Sequence, residues 1–288
     1  IAVLGAVVRK IQITTQPLAN TAVCQNSAFN TAISAQNVTG YQWKKGGTNV
    51  SVGTGGATAN YSITSTQPGD AGVYTVEMTG NSPCPNVTST TNTLAVTTLA
   101  AITTQPTAFQ VCEDQGISIT GAASNAASYQ WLRNGTAISP NGNVQTYTKG
   151  GNPATMADSG MYRLVALSNN AGATTCKADT SAAVLGAVVR KIQIITQPPV
   201  FSYGCINANF SMNIVAQNVT GYSWRLNGSP IGQTTSTMSR TPFTIADTGN
   251  YTVVMTGNSP CPIVTSNIAK VDPTTAAVIT TEPQSTDV

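Results

Sequence analysis

The sequence predicts an all-β protein of three tandem β-sandwich domains that together form an extended rod. Three observations support this prediction: short strand-like runs between turn residues, a motif that occurs three times, and a first-strand sequence that recurs. The strand-like runs repeat at spacings of about 8 to 12 residues, which is typical of sandwiches. Thr suits a pleated, half-buried strand surface, and Gly, Pro, Asn and Asp favour turns.

A short sequence that begins with Ile and ends with Pro marks the first strand of each domain. Ile-Thr-Thr-Gln-Pro stands at 13–17 and again at 102–106, and shorter or altered copies begin at Ile195 and Ile279. Self-similarity of this kind is typical of a repeat architecture. We therefore predict the following division of the chain: 1–10 as the last strand of a preceding repeat, 11–100, 101–191 and 192–276 as the three domains, and 277–288 as the first strand of a following repeat.

One motif recurs in the same order within each domain. A Cys is followed nineteen residues later by a Trp, then by Asp-x-Gly-x-Tyr, then by a second Cys. Three concordant copies make chance an inadequate explanation. The residues are Cys24, Trp43, Asp70, Tyr74 and Cys84 in the first domain; Cys112, Trp131, Asp158, Tyr162 and Cys176 in the second; and Cys205, Trp224, Asp247, Tyr251 and Cys261 in the third.

The first and third domains are much closer to each other than to the second. The sequence Ala-Gln-Asn-Val-Thr-Gly-Tyr begins at Ala35 and again at Ala216, an offset of 181 residues, and twelve residues from Ala2 reappear from Ala183 with the same offset. The repeating unit is thus a pair of domains. We expect the chain to be one part of a longer array of repeats, with the native start and its signal peptide missing from this sequence.

The combined motif resembles that of the immunoglobulin superfamily. Asp-x-Gly-x-Tyr resembles the tyrosine corner, in which the Tyr hydroxyl bonds back to the backbone, and the Trp resembles the core tryptophan of strand C. The resemblance implies structural core positions at Trp43, Trp131, Trp224 and at the three Asp and Tyr pairs. It covers all three domains.

The cysteines depart from the antibody pattern. Two residues after each corner Tyr, where antibody domains carry the second Cys, stand Val76, Leu164 and Val253. Six cysteines, two per repeat, nevertheless predict one disulfide per domain in an oxidising compartment. The expected pairs are Cys24 with Cys84, Cys112 with Cys176, and Cys205 with Cys261; buried free thiols in a cytosolic protein are the alternative.

The displaced cysteines, with Thr-Gln-Pro, Val-Cys, Tyr-Gln-Trp and Cys before Val-Thr-Ser, resemble immunoglobulin-like repeats of very large bacterial surface proteins. Those of the Bacteroidota, secreted by the type 9 system, are similar. The resemblance implies an extracellular, cell-surface location and a role in adhesion or gliding motility. The expected function is a non-catalytic, stiff stalk or filament segment whose partners are neighbouring repeats; the host, substratum or glycan ligand is unknown.

Two other functions fit the sequence. The first is a self-assembling filament or sheath, in which residues 1–10 complete the sandwich of an identical chain by strand addition. The second is a carbohydrate-binding module, for which Tyr147 and Tyr203 could form a stacking surface. Single strand residues are the simpler interpretation of both tyrosines.

The residue content argues against catalysis, cofactors and several partners. There is no histidine, which excludes Ser-His-Asp chemistry and His-ligated zinc, and the ten acidic residues form no calcium-loop pattern. We therefore expect no catalytic, metal or cofactor-binding residues and no enzymatic activity. Thirteen Lys and Arg residues are scattered, so nucleic acid is not an expected partner, and no apolar stretch is long enough for a membrane span.

Overall fold

The computed structural model describes residues 7–149, 153–275, 277 and 279–281. It divides into two compact units, each drawn from more than one segment of the chain. The first unit comprises Ile1–Thr107, Ile119–Tyr147 and Met161–Val184, and the second comprises Ala108–Ser118, Thr148–Gly160 and Leu185–Val288. The first repeat thus lies in the first unit, the third repeat lies in the second, and the middle repeat contributes to both.

Within the described residues, each repeat contains ten strands and one short 3₁₀ helix. The first repeat has β1 (Gln12–Thr15), β2 (Asn20–Cys24), β3 (Phe29–Ala32), β4 (Ser34–Gln36), β5 (Gly40–Lys45), β6 (Thr48–Asn49), β7 (Asn60–Ile63), β8 (Gly72–Thr79), β9 (Val87–Thr88) and β10 (Asn92–Thr97). The middle repeat has β11 (Ala101–Thr104), β12 (Phe109–Cys112), β13 (Ser118–Thr120), β14 (Ala122–Ser124), β15 (Ala126–Arg133), β16 (Thr136–Ala137), β17 (Thr146–Thr148), β18 (Gly160–Ser168), β19 (Asp179–Thr180) and β20 (Val184–Val189). The third has β21 (Gln193–Thr196), β22 (Phe201–Cys205), β23 (Phe210–Asn213), β24 (Val215–Gln217), β25 (Gly221–Leu226), β26 (Ser229–Pro230), β27 (Thr237–Arg240), β28 (Gly249–Thr256), β29 (Val264–Thr265) and β30 (Ala269–Thr274). The 3₁₀ helices are Pro68–Asp70, Met156–Asp158 and Ile245–Asp247.

The first repeat is a two-layer sandwich. One layer has the strand order β2-β10-β8-β5-β6, with β9 also paired to β8, and the other contains the antiparallel pairs β1 with β4 and β3 with β7. Strand β2 runs parallel to β10, whereas β10 and β8 are antiparallel. Alternate residues of β8 point into the core, so Tyr74, Val76 and Met78 are buried between the layers.

The third repeat has the same arrangement. Its larger sheet has the order β22-β30-β28-β25-β26, with β29 beside β28, and β21 pairs with β24 as β23 pairs with β27. The core again comes from inward-facing residues of both layers, including Met212, Trp224 and Val253. The equivalence of the two repeats agrees with the sequence segments that they share, such as those that begin at Ala35 and Ala216.

The middle repeat shows the same pairings in the parts that belong to each unit. In the first unit, β15 pairs antiparallel with β18 and β11 pairs antiparallel with β14. In the second unit, β12 pairs parallel with β20, from Phe109 opposite Gly186 to Cys112 opposite Val189. The all-β prediction is confirmed.

The three motif tryptophans are fully buried. Trp43, Trp131 and Trp224 each have 0% of their surface exposed. The Trp43 indole N–H donates to the Thr58 carbonyl, and the Trp224 indole N–H donates to the Thr235 carbonyl, both at 2.9 Å. These two bonds satisfy the polar atoms that the Trp43 and Trp224 rings carry into the core, whereas the Trp131 indole N–H has no hydrogen-bond partner among the described residues.

Each Asp-x-Gly-x-Tyr segment forms a corner between a 3₁₀ helix and the next strand. The Tyr74 hydroxyl donates to the Asp70 carbonyl at 2.7 Å, and the Tyr251 hydroxyl donates to the Asp247 carbonyl at 2.6 Å. Gly72 has a φ of 150°, and a Cβ there would lie 3.0 Å from Lys45, so the corner favours glycine.

The predicted flanking strands fall largely on residues that the structure does not describe. Residues 1–6 lie outside the described part of the chain, as do 282–288, and the described residues 7–10 form no strand. Strand addition by 1–10, and the predicted domain boundaries, therefore stay predictions.

Candidate functional site: cysteine-linked junctions

The six cysteines occupy two kinds of position. The first cysteine of each repeat is the last residue of β2, β12 or β22, and we call this position the strand end. The second cysteine of each repeat lies in the connection between β8 and β9, between β18 and β19, or between β28 and β29, which we call the cysteine loop.

Two disulfides each join a strand end to the cysteine loop of the next repeat. Cys24 is bonded to Cys176 with 5.5 Å between the Cα atoms, and Cys112 is bonded to Cys261 with 4.8 Å. Both separations lie within the usual disulfide range. The first bond lies within the first unit and the second within the second unit.

The pairing predicted from the sequence is therefore wrong. None of the expected bonds is present: Cys24 with Cys84, Cys112 with Cys176, or Cys205 with Cys261. Cys84 and Cys205 are free thiols, each partly exposed.

Strand register explains why a bond within the first repeat cannot form. Cys24 lies opposite Thr97 at the end of β10, and that end of the sheet is close to Gly72, where β8 begins. Cys84 follows Thr79, at the other end of β8. At about 3.3 Å per residue, the eight-residue strand separates the two levels by roughly 23 Å, far beyond the reach of a disulfide.

The first junction combines the disulfide with direct hydrogen bonds to the connecting peptide. The Ala100 N–H donates to the Ser168 hydroxyl oxygen at 2.8 Å, and the Ser168 hydroxyl donates to the Lys177 carbonyl at 2.6 Å. The Leu99 N–H donates to the Gln25 side-chain oxygen at 3.3 Å. The connection between the repeats is thus tied to the loop that carries Cys176.

A small apolar cluster surrounds this first disulfide. Cys24, Ala171 and Cys176 are buried together, and Leu99 of the connecting peptide packs against them. A Cβ added to Gly172 would lie 3.7 Å from the Ala22 Cβ, so the strand residue two before Cys24 approaches the cysteine loop.

The second junction has the same plan with different side chains. The Gln110 amide, two residues before Cys112, donates to the Ser259 carbonyl of the cysteine loop at 3.1 Å. The Cys261 Sγ lies 3.5 Å from the Val189 carbonyl oxygen and 3.4 Å from that of Arg190. The loop therefore contacts both the strand end and the peptide that connects the repeats.

Lys191, in the peptide that connects the middle and third repeats, is held by neighbouring residues. Lys191 forms an ion pair with Asp114, and this hydrogen bond and charge raise the pKa of the exposed Lys191 ammonium. The Lys191 carbonyl accepts a bond from the Asn218 amide at 2.8 Å, as the Lys10 carbonyl does from Asn37 at 2.9 Å. These contacts fix the connecting peptide locally.

The two tyrosines considered as a sugar platform have different environments. Tyr147 is 6% exposed and stacks on the Tyr162 ring, with 6.5 Å between ring centroids. Tyr203 is 65% exposed on β22, two residues before Cys205. Burial removes Tyr147 from any stacking surface.

The described residues offer little else that could act as a chemical site. In this part of the chain, no three His, Cys, Asp or Glu side chains come together as a metal site. Nor does the described region contain a helix of the length and apolarity that crossing a membrane requires. Among the residues that the structure describes, we take the two disulfide-linked junctions as the candidate functional site.

Comparisons with known proteins give the fold its name. No protein-family model matches the chain, and no curated protein matches it. A titin I-band fragment, I67–I69, is 14% identical with a TM-score of 0.66, and an E-to-A variant of titin domains I67–I69 is 14% identical with a TM-score of 0.65; each covers 93% of this chain and 100% of its own. Extracellular domains 3–5 of Drosophila OTK are 16% identical over 94% of this chain and 100% of that one, with a TM-score of 0.45. At 14% identity the likeness to the two titin fragments shows the fold alone: three tandem immunoglobulin-like β-sandwich domains.

Proposed function

We propose that this chain is a non-catalytic, stiff spacer in an extracellular bacterial surface adhesin. The observation that carries the proposal is the pairing of cysteines between consecutive repeats, Cys24 with Cys176 and Cys112 with Cys261. A disulfide within a repeat would stabilise that repeat only. A disulfide between repeats restrains the junction itself.

Two attachments at each junction limit bending and twisting. A single peptide connection permits rotation about each of its backbone dihedrals, whereas a second covalent link close by removes most of that freedom. The connecting peptide also lacks the Gly and Ser residues of flexible linkers, since it reads Thr-Leu-Ala after β10 and Arg-Lys-Ile after β20. Hydrogen bonds such as that from Ala100 to Ser168 restrain it further.

The extracellular location is supported by the same bonds. Disulfides form and persist in oxidising compartments and are rare in cytosolic proteins. The resemblance of the cysteine spacing to type 9 secreted surface repeats supports bacterial adhesion or gliding motility as the setting. In such a protein the repeats would hold a terminal binding region away from the cell.

Small-angle X-ray scattering tests the stiffness directly. At roughly 35 to 40 Å per repeat, a stiff chain has a maximum dimension of about 110 Å. We expect a rod-like distance distribution for the oxidised protein and a broader one after Cys24, Cys112, Cys176 and Cys261 are all replaced by Ser. The matched control replaces Cys84 and Cys205, which leaves both junction bonds in place. Freely hinged repeats in the oxidised protein would overturn the proposal.

A further inference from the structure

The two free cysteines are one strand-end cysteine and one loop cysteine. Cys205 ends β22, and Cys84 lies in the first cysteine loop. In the two junctions the bonded cysteines are also one of each kind. Cys84 and Cys205 therefore occupy the same two kinds of position that bond to each other in the junctions.

Cys205 has the local geometry of the two bonded strand-end cysteines. The residue after each of the three donates its N–H to the last residue of the neighbouring strand: Gln25 to Thr97 at 2.8 Å, Glu113 to Val189 at 2.7 Å and Ile206 to Thr274 at 2.9 Å. Each of the three cysteine carbonyls also accepts a bond from the N–H three residues later, at 3.0, 3.0 and 3.1 Å. The backbone that presents Cys24 and Cys112 to a cysteine loop thus recurs at Cys205.

Cys84 has the surroundings of Cys261. The eight residues Met-Thr-Gly-Asn-Ser-Pro-Cys-Pro at 78–85 are identical to those at 255–262. Both loops close with the same turn, in which the cysteine N–H donates to the carbonyl of Asn81 or Asn258 at 3.0 Å. The loop that bonds to a strand end at Cys261 is therefore present a second time, with a free thiol.

The strand faces beside Cys24 and Cys112 each contact a cysteine loop, whereas among the described residues the face beside Cys205 has no such loop against it. Residues two apart in a strand share a face, so Phe201 and Tyr203 lie on the face of Cys205. Tyr203 is equivalent to Gln110, which bonds to Ser259, and to Ala22, which approaches Gly172. Cys24 and Cys112 are buried, at 6% and 2% exposure, whereas Cys205 is partly exposed beside Tyr203 at 65% and Phe201 at 42%.

The two exposed rings form an ordered aromatic surface. They pack edge to face with 4.8 Å between centroids, and the Lys270 ammonium lies 5.6 Å from the centre of the Phe201 ring. Pro260 and Pro262 line the groove beside Gln110 and Cys112 at the second junction. Pro83 and Pro85 flank Cys84 in the same way, and proline rings pack well on aromatic faces.

We propose that the face formed by Phe201, Tyr203 and Cys205 binds the cysteine loop at 81–85 of a second copy of this chain, and that Cys205 then forms a disulfide with the second copy's Cys84. The contact is heterologous, because it joins two different surfaces of the chain. The inference goes beyond the spacer function, and its test does not depend on that function.

The bond requires an oxidant, and a small-molecule disulfide such as oxidised glutathione supplies it. The Cys205 thiolate attacks one glutathione sulfur and releases one reduced glutathione. The Cys84 thiolate of the second copy then attacks the Cys205 sulfur of that mixed disulfide and releases the second. Two thiol protons are transferred to the two glutathione molecules, and one protein disulfide remains.

Mixing two single variants tests the proposal. C84S retains only the Cys205 thiol, and C205S retains only the Cys84 thiol. With oxidised glutathione, we expect each variant alone to stay monomeric on a non-reducing gel and an equimolar mixture to form a dimer that dithiothreitol reverses. Tryptic peptides 192–225 and 46–133 should be linked in that dimer. A mixture that stays monomeric, or a single variant that dimerises as fast as the mixture, overturns the proposal.

A further variant separates docking from random collision of thiols. Y203S in the C84S protein keeps the Cys205 thiol but removes the exposed ring, so we expect dimer formation with C205S to slow at least fivefold. The matched control is L18S in the same protein, because Leu18 is also an exposed apolar side chain. Equal rates for Y203S and L18S would contradict binding at this face. Thermal unfolding of each variant shows that it is folded.

Discussion

Cys24 is bonded to Cys176 of the next repeat, and the 5.5 Å between their Cα atoms spans a sequence separation of 152 residues. Cys112 and Cys261 repeat the relationship over 149 residues. Because Cys112 lies between Cys24 and Cys176 in the sequence, the two closed loops overlap. Each disulfide therefore links one repeat to the next, and neither of the two closes a loop within a single repeat.

Removal of one inter-repeat disulfide should lower the free energy of unfolding. Chain-entropy arguments and measured disulfide deletions give about 2–5 kcal/mol for a bond that closes a long loop. We expect the C24S/C176S variant to lose an amount of this order, measured as a lower urea midpoint of the transition that includes the first repeat. C84S is the matched control and should stay within about 0.5 kcal/mol of the unmodified protein. Equal midpoints for the two variants would show that the bond does not stabilise the folded chain.

The inter-repeat disulfides should also reduce the length to which force can extend the unfolded chain. In the oxidised protein the shortest covalent path crosses both bonds: it passes from Cys24 to Cys176, runs back along the chain to Cys112 and crosses to Cys261. Since an extended residue spans about 3.3–3.6 Å and this path is shorter than the full chain by roughly 170 residues, complete unfolding by single-molecule pulling should yield about 600 Å less extension than in the reduced protein. Identical extensions with and without reductant would mean that no such bond is present.

The tyrosine corner gives a prediction about the core. The buried Tyr74 donates its hydroxyl to the Asp70 carbonyl at 2.7 Å, and burial raises the pKa of that hydroxyl, so it stays protonated as a donor. Y74F should cost about 1 kcal/mol of unfolding free energy through the lost hydrogen bond. Y251F should cost a similar amount, because Tyr251 donates to Asp247 in the same way. Y41F, at a half-buried position away from the corner, serves as the control, and an equal loss there would argue against the corner bond.

Close packing at Gly204 gives a second stability prediction. A Cβ added there would lie 2.4 Å from the Phe243 ring, which is fully buried. G204A should therefore destabilise the third repeat by about 1–3 kcal/mol through overpacking. At Gly116 an added Cβ meets nothing within 4 Å, so G116A is the matched control and should leave the thermal midpoint nearly unchanged. A neutral G204A would contradict the packing of Phe243 on β22.

Acid should destabilise the third repeat in part through Asp247. Burial opposes ionisation of this carboxyl, but hydrogen bonds from Thr244 and the Arg240 charge outweigh it and lower its pKa below the usual 3.8. The folded state therefore binds fewer protons than the unfolded state, and the stabilisation is complete above the unfolded pKa and is lost as pH falls through the folded one. D247N should flatten the acid side of the stability curve, measured by urea unfolding between about pH 5 and pH 2. An unchanged pH dependence would contradict this account.

Sequence reasoning identified the core because the motif residues recur at similar spacings and belong to distinctive residue types. Trp43 and Tyr74, for example, belong to one motif whose spacing fits a strand that carries the tryptophan, observed as β5, and a corner before the strand observed as β8. The cysteine pairing could not be obtained in the same way. An even count of two per repeat says how many bonds are available, whereas the partner depends on which end of the sheet each cysteine occupies.

The directions of the strands that precede each cysteine decide which cysteines can pair. Cys24 ends a strand that runs parallel to β10, and Cys84 follows a strand that runs antiparallel to β10, so the two lie at opposite ends of the sheet. The hydrophobic residues Val76 and Val253, at positions that carry cysteine in antibody domains, already indicated that the usual cross-sheet bond is absent. The register that decides the partner appears only in the folded structure.

Disulfide mapping of the unreduced protein with trypsin tests the central claim most directly. Cleavage after Lys and Arg places Cys24 in peptide 11–44, Cys176 in 164–177, Cys84 and Cys112 in 46–133, Cys205 in 192–225, and Cys261 in 241–270. With Cys84 and Cys205 blocked by an alkylating reagent beforehand, the structure predicts that 11–44 is linked to 164–177 and that 46–133 is linked to 241–270 through Cys112. Linkage of 11–44 to 46–133, or of 192–225 to 241–270 within one chain, would show that the bonds close single repeats and would contradict the account.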